Sequence, residues 1–370
     1  MPTFKNEQIG NDTIYSHGII SERTSNLNIM PLISIVMPAY NVEKYIKAAI
    51  DSIISQTYTN WELIIADDCS TDNTVSIIEG YTTKYNNIRL IKRSNNSGGC
   101  RLPRFDAILA AKGEFVCPID SDDTIETTYL EKLLKRQKET SSDIVLSKLI
   151  YCDETQKPKG ITIPHTLYDM SAILFGKEAC KATIGGWKIS VNGLIAQTSL
   201  YKEYVKKEYH NNFNGGFSDE VDHRKILLLA ERVAMTEAHY FYRQQNTSII
   251  HSTSIKCYDI LIANKILLDF IITTFKDDKE LQLKMYDEYL EKIYRSQQKY
   301  CKYIKQYSAQ EREYITSIIK ESYSYIKKDK LKFSTKRNKI LSTSYTLFKI
   351  YTWIVMFIVK TKYYLNNHIK

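Results

Sequence analysis

Paired cysteines are missing from this 370-residue chain. Its seven cysteines (Cys69, Cys100, Cys117, Cys152, Cys180, Cys257 and Cys301) are odd in number, scattered and nowhere in a CxxC arrangement. That argues against a zinc ribbon or redox dithiol and for a reduced, cytoplasmic chain. The seven histidines show no HExxH-like spacing, so none is assigned to a metal. No internal repeat is present, and the first 30 residues lack the continuous apolar core of a secretion signal. Residues 1–30 read as a flexible leader, with Met30 as an alternative start. Net positive charge is also absent from most of the chain, although the whole carries +9. From Lys327 onward there are eleven Lys/Arg and one acid, Asp329, whereas the first 326 residues carry 40 basic and 41 acidic side chains. A basic body that would bind nucleic acid is thereby excluded; the basicity belongs to the tail.

An apolar fraction of 43% and a charged fraction of 25% are those of a globular protein. The length allows one large α/β domain with an appendage, or two domains. In the tail, "ILSTSYTLFKIYTWIVMFIV" (340–359) is apolar and aromatic but is interrupted by Lys349 and several hydroxyl residues. A spanning helix needs about 20 apolar residues. The segment reads instead as a helix lying in the plane of an anionic membrane surface, or as one docked on the body.

From Leu32 to Asp153, short apolar runs alternate with segments of helical period. "LISIVMPAYN", "WELIIADDCS", "IRLIKRS", "EFVCPID" and "SDIVLSKLIY" read as strands. Between them, "VEKYIKAAIDSIISQ" places Ile46, Ala49, Ile50 and Ile53 on one helical face, and "RFDAILAAK" and "TTYLEKLLKRQKE" are further helices. This alternation predicts a mostly parallel sheet covered on both faces, with ligands at the carboxyl ends of its strands. Further along, "VDHRKILLLAERV" reads as a helix with Ile226, Leu229 and Ala230 inward, and 255–326 as two or three amphipathic helices.

Polar residues end these strands: Tyr40 and Asn41, then Asp67 and Asp68, then Asp120, Asp122 and Asp123. Carboxylates at a strand end are often caps or solvated turns. Three clustered behind a buried run repel one another unless a cation lies between them, and with no His or Cys adjacent the natural occupant is Mg or Mn. A calcium loop starting at Asp120 fails because its sixth position is Ile125, not glycine. "DSDDT" also fits the DxDxT motif of a phosphatase with an aspartate nucleophile, a motif that ends the first strand of its domain rather than the fourth.

"ISIVMPAYN", "SQTYTNWELIIADDCSTDNT", "SGGCRLPRFDAILAAKGEFV" and "IDSDD", in this order and spacing, resemble the family 2 glycosyltransferases of bacterial polysaccharide biosynthesis. The match is dense from Ile33 to Lys148 and looser over "GFSDEVDHRKILLLAERVAMTEAHYFYRQQNTSI". The resemblance implies a GT-A fold: a donor half over 31–153, an acceptor half over 154–250, a helical extension over 251–330 and a basic amphipathic tail over 331–370. It implies an inverting, metal-dependent transfer from a nucleotide-sugar, UDP-linked, to an acceptor hydroxyl. That acceptor would be a lipid-linked glycan in capsule, exopolysaccharide or lipopolysaccharide assembly at the cytoplasmic face of the inner membrane.

By the same resemblance, Asp120, Asp122 and Asp123 hold the metal, with Ser121 beside the donor. Pro38, Ala39, Tyr40, Asn41 and Asp68, or its neighbour Asp67, contact the nucleoside. Arg104 and Arg243 lie near the base or diphosphate. Asp219 falls where the family has its catalytic base. Ser218 replaces the usual preceding Glu, which leaves Glu220 as an alternative base; Asp219 in a purely helix-capping role is the plainer reading. Arg104 and Arg243 as solvent-exposed residues, and Trp187 as a core residue rather than an acceptor platform, are the corresponding plain readings. A DxDxT phosphatase and a non-catalytic partner of another glycosyltransferase are the rival functions.

Overall fold

A computed structural model describes residues 30–162, 170–185, 193–211, 213, 215–245, 253–327, 338, 341–342 and 344–368. The leader up to residue 29 and Trp187 lie outside the described residues. The strands are β1 (Ile33–Ala39), β2 (Trp61–Asp67), β3 (Ile88–Lys92), β4 (Phe115–Pro118), β5 (Thr124–Ile125), β6 (Ile144–Cys152), β7 (Pro158–Thr162), β8 (Ile173–Phe175), β9 (Leu194–Gln197) and β10 (Arg232–Arg243). The helices are α1 (Ile46–Ile54), α2 (Thr74–Thr82), α3 (Arg101–Ala110), α4 (Tyr129–Thr140), α5 (Gly176–Ala182), α6 (Thr198–Glu208), α7 (Asp219–Leu229), α8 (Asp259–Thr274), α9 (Lys279–Tyr303), α10 (Ala309–Lys327) and α11 (Tyr345–His368).

All but two of the strands form one path, β3-β2-β1-β4-β9-β6-β10-β5, with β7 added on β6 and β8 on β10. β3, β2, β1 and β4 are parallel, as the alternation predicts. β9 enters antiparallel between β4 and β6, and β10 then runs parallel to β6. Every residue of β1 and β2 is buried, which is why those runs read as continuous rather than alternating apolar segments.

Alternate residues of β1 serve opposite faces. Ile33, Ile35 and Met37 pack with α1, α2 and α4, whereas Val36 packs on the face that carries α3 and α5 through α11. α1 buries Ile46, Ala49, Ile50 and Ile53 as expected. Full burial of one such side chain contributes about 1.5–3 kcal/mol. α7 departs from expectation: Ile226, Leu227 and Ala230 are inward, but Leu229 is exposed. Besides Val221, its remaining inward positions are polar, namely Asp222, His223 and Arg224. Burial of three charged or titratable groups on one helix face requires partners, and their partners build the site.

Gly193, at the entry to β9, has φ +77°, and a Cβ there would stand 2.5 Å from Ser147 Oγ and 2.6 Å from the Tyr240 ring. Only glycine permits this approach, which presses β9 against the tyrosine at the back of the site.

Candidate active site

The rim is built by the loops after β1, β2 and β3. Pro38 and Ala39 are buried at the end of β1, and Tyr40 projects outward at 48% exposure. Asn41 takes a left-handed backbone (φ 50°). Its N–H donates to Ser70 Oγ at 2.9 Å, and its Oδ1 accepts the Thr71 N–H at 2.7 Å. Asp67 accepts both the Ser70 hydroxyl (2.5 Å) and N–H (3.0 Å). Asp68 accepts the Ser97 N–H and hydroxyl, each at 2.9 Å, and pairs with Arg93 at 3.0 Å. Both carboxylates are buried. Expected as nucleoside contacts, Asp67 and Asp68 are engaged within the protein by donors on neighbouring loops. They fix the loops that carry Tyr40, Asn41 and residues 96–100.

β4 ends beneath this rim in the Asp120–Asp123 turn, which β10 clamps. The Tyr240 hydroxyl accepts the Asp120 N–H (3.0 Å) and donates to Asp123 Oδ2 (2.8 Å), while Asp123 Oδ1 accepts the Arg243 N–H (2.7 Å). Expected among the metal ligands, Asp123 is 1% exposed with both oxygens engaged, and it anchors the turn. Burial and the charges of Asp122 and Asp120 hold its carboxyl well above the usual range.

Arg243 is likewise internal rather than free to reach a diphosphate. Its guanidinium donates to the Asp122 carbonyl (2.7 Å) and the Glu154 carbonyl and lies 4.9 Å from the centre of the Tyr45 ring. Ser121 is buried within the turn.

Two carboxylates are left facing outward. Asp120 accepts Arg104 Nη2 at 2.7 Å and keeps 37% of its side-chain surface exposed. Asp122 accepts Gln245 Nε2 at 2.6 Å, and burial followed by the Asp120 charge raises its carboxyl to about 6. Among the described residues no group of three or more His, Cys, Asp or Glu stands ready to hold a metal. Asp120, paired with Arg104, and Asp122 are left as a set of carboxylate oxygens of the kind that fits a hard divalent cation completed by ligand oxygens. Arg104, almost wholly buried, has its Nε–H unsatisfied among the described residues.

The start of α7 adds a third acid. Burial, then the Glu220 charge, raise Asp219 to about 6, and the charges of Arg104 and Asp120 act on it as well. Glu220 behaves oppositely. It meets the fully buried Arg224 at 2.5 Å, and Arg224 is held in turn by the Thr183 hydroxyl and carbonyl, both at 3.0 Å. Burial alone would raise Glu220, but the Arg224 and Lys292 charges outweigh it and lower the carboxyl. The two candidate bases thus differ: Glu220 is ion-paired with Arg224, whereas Asp219 has no ion pair among the described residues.

The loop ahead of α7 is tied to the helical extension, since Gly216 N–H donates to Asp259 Oδ2 at 3.1 Å and Phe217 has φ 67°. Asp222 accepts Arg101 Nε at 2.9 Å and the Tyr204 hydroxyl at 2.5 Å. His223, to which the sequence gave no role, is almost fully buried one turn after Asp219, and burial followed by the Arg104 charge lowers it to about 3. It is a neutral imidazole at neutral pH. Its i,i+4 spacing from Asp219 was the available signal.

The profile described as "Glycosyl transferase family 2" matches residues 34–198, which take in β1 to β9 and stop short of Asp219. Glycosyltransferase GlyG of Streptococcus pneumoniae is 30% identical over 223 residues, 60% of this chain and 73% of that protein. The poly(ribitol-phosphate) beta-glucosyltransferase of Bacillus spizizenii is 45% identical over 216 residues, 57% of this chain but only 32% of its own length. The cholesterol galactosyltransferase of Borreliella burgdorferi is 30% identical over 252 residues, 66% of this chain and 67% of that protein. Among solved structures, S. aureus TarS 1–349 aligns over 81% of this chain and 93% of its own, with 20% identity and a TM-score of 0.48. The chain spans about a third of the Bacillus relative and most of the streptococcal one, and on these matches it belongs to glycosyl transferase family 2.

Proposed function

We propose that this protein is an inverting glycosyltransferase that moves a sugar from a UDP-sugar to a hydroxyl of a bacterial surface polymer. The reading is carried by one observation. Asp120, Asp122, Arg104 and Asp219 come from three separate parts of the chain, yet the charges of Asp120 and Arg104 both reach Asp219, and that of Asp120 reaches Asp122.

Each group has a task in that reaction. The Asp219 carboxylate accepts the proton of the acceptor hydroxyl as its oxygen attacks the anomeric carbon, and a base near pH 6 is ionised yet still basic at neutral pH. The Arg104 guanidinium, paired with Asp120, supplies positive charge to the diphosphate on which charge develops. Asp120 and Asp122 hold Mn or Mg, which when bound supplies positive charge to the leaving diphosphate. Asp123 and Arg243 keep those two acids in place, and Tyr40 offers an exposed ring to the nucleoside.

The acceptor class follows the relatives, whose names include transferases acting on poly(ribitol phosphate). A glycan carried on lipid at the cytoplasmic face of the membrane is the substrate proposed here. Membership of the glycosyltransferase family replaces the phosphatase reading, and Asp120, paired with Arg104, is poorly placed as a covalent nucleophile.

Calorimetric titration of UDP and GDP, with and without Mn, into the wild type and Asp122→Ala is the test. Metal-dependent UDP binding that the variant loses is expected. Absence of nucleotide binding under every metal condition refutes the donor site.

A further inference from the structure

The helix α11 has two apolar faces, and the protein covers only one of them. On the inner face Phe348 and Thr352 are fully buried, and Phe348 packs 6.3 Å from Tyr294 of α9 and 5.1 Å from Tyr323 of α10. On the outer face Leu347, Ile350, Trp353, Ile354, Phe357 and Ile358 are each between 44% and 63% exposed. Their spacing places them on one stripe roughly opposite Phe348 and Thr352. Trp353 and Phe357 stack at 5.8 Å into one continuous apolar plate.

Six large apolar side chains on one stripe are more than a soluble surface ordinarily leaves to water. Charge identifies what covers them. From Lys327 to the C-terminus there are eleven basic residues against one acid, so a symmetric pairing with a second copy would bring two strongly positive segments together. An anionic lipid surface instead takes both the apolar plate and the flanking lysines. The helix lies along that surface rather than across it. Among the described residues no helix is long and apolar enough to span, and the inner face of α11 is already held by α9 and α10.

We infer that the outer face of α11 is a lipid-docking surface that seats in the headgroup layer of an anionic membrane, with Trp353 and Phe357 as its deepest anchors. This inference gives the membrane reading above its contact surface and does not depend on the transfer chemistry.

The test is flotation of the full-length protein with vesicles of phosphatidylcholine and phosphatidylglycerol in equal parts, and with phosphatidylcholine alone. Wild-type protein is expected to float with the mixed vesicles only and to be released by high salt. Trp353→Ser/Phe357→Ser is expected to lower partitioning at least about tenfold, because it removes two aromatic anchors from the interface. Lys349→Glu, on the flank of the stripe, is expected to weaken it by a smaller factor of about three to five. Both substitutions are at exposed positions, so unchanged thermal unfolding and unchanged UDP binding separate a lost membrane contact from a lost fold or donor site.

Equal flotation of wild type and double variant overturns the inference. So does equal binding to neutral and anionic vesicles. A wild-type dimer in solution that the double variant converts to monomer also overturns it and assigns the face to a second copy.

Discussion

Replacing Asp219 by Asn and Glu220 by Gln should move stability and activity in opposite directions, although the two residues are adjacent on α7. Asp219 is raised from its ordinary 3.8 to about 6. The folded chain therefore binds this proton more tightly than the unfolded chain does. The cost of keeping the carboxylate charged is absent below about pH 4, grows between 3.8 and 6 and is complete above 6. That span corresponds to about 3 kcal/mol, an upper value because the carboxyl keeps some contact with solvent. Asp219→Asn should therefore be the more stable protein at pH 7, by up to about 4 °C in Tm for a chain of this size, and should show no gain at pH 4. Its transfer rate should fall at least about a hundredfold, because no base remains to accept the acceptor proton.

Glu220→Gln removes the nearer of the two carboxylates that face a fully buried Arg224, leaving Glu288 at 3.9 Å. Breaking such a pair costs about 3–5 kcal/mol, and the lower figure applies because Thr183 still accepts two hydrogen bonds. Glu220→Gln should thus melt lower while retaining most of its kcat when assayed well below its Tm. Differential scanning calorimetry at pH 4 and pH 7, with initial rates of UDP release on both variants and a pH profile of the wild type, makes the comparison. The wild-type kcat/KM should rise about tenfold per pH unit up to about pH 6 and then level off. Full activity in Asp219→Asn, or its loss in a well-folded Glu220→Gln, would refute the assignment of the base.

Asp122→Asn should likewise stabilise the metal-free protein above about pH 6, since burial and Asp120 raise the native carboxyl to about that value, while abolishing Mn-dependent UDP binding by calorimetry. Asp259→Ala withdraws the acceptor of the Gly216 N–H ahead of α7, so kcat should fall about tenfold through misplacement of Asp219 while UDP affinity and the circular dichroism spectrum stay unchanged. Gly193→Ala should cost at least about 2 kcal/mol in urea unfolding, because its Cβ meets Ser147, Tyr129 and Tyr240 and its backbone is left-handed.

The parallel half of the sheet was legible because its signals are local: apolar runs of strand length, helices of 3.6 period and acids at strand ends. The antiparallel entry of β9 between β4 and β6 was not, since pairing direction is set by partners far away in the chain. The tail reads as a helix in a membrane plane or as one docked on the body, and α11 does dock its Phe348 and Thr352 face on α9 and α10 while its opposite face stays exposed. Glu220's pairing with Arg224 lay in plain view as an i,i+4 acid–base spacing, which would have separated it from Asp219 at once.

What spacing could not reveal is which of the strand-end acids work on a ligand, because that depends on donors far away in the chain. Asp67 and Asp68 are satisfied by Ser70, Ser97 and Arg93, and Asp123 by Tyr240 and the Arg243 N–H. Each of these acids has its donors built into the fold. Asp122 and Asp219 are supplied with less positive charge than their burial demands, and both stand near 6 in consequence. On the proposed reading, two such carboxylates near Arg104 would hold places for a cation, a diphosphate and a transferable proton. Those are the three things a nucleotide-sugar and its acceptor bring.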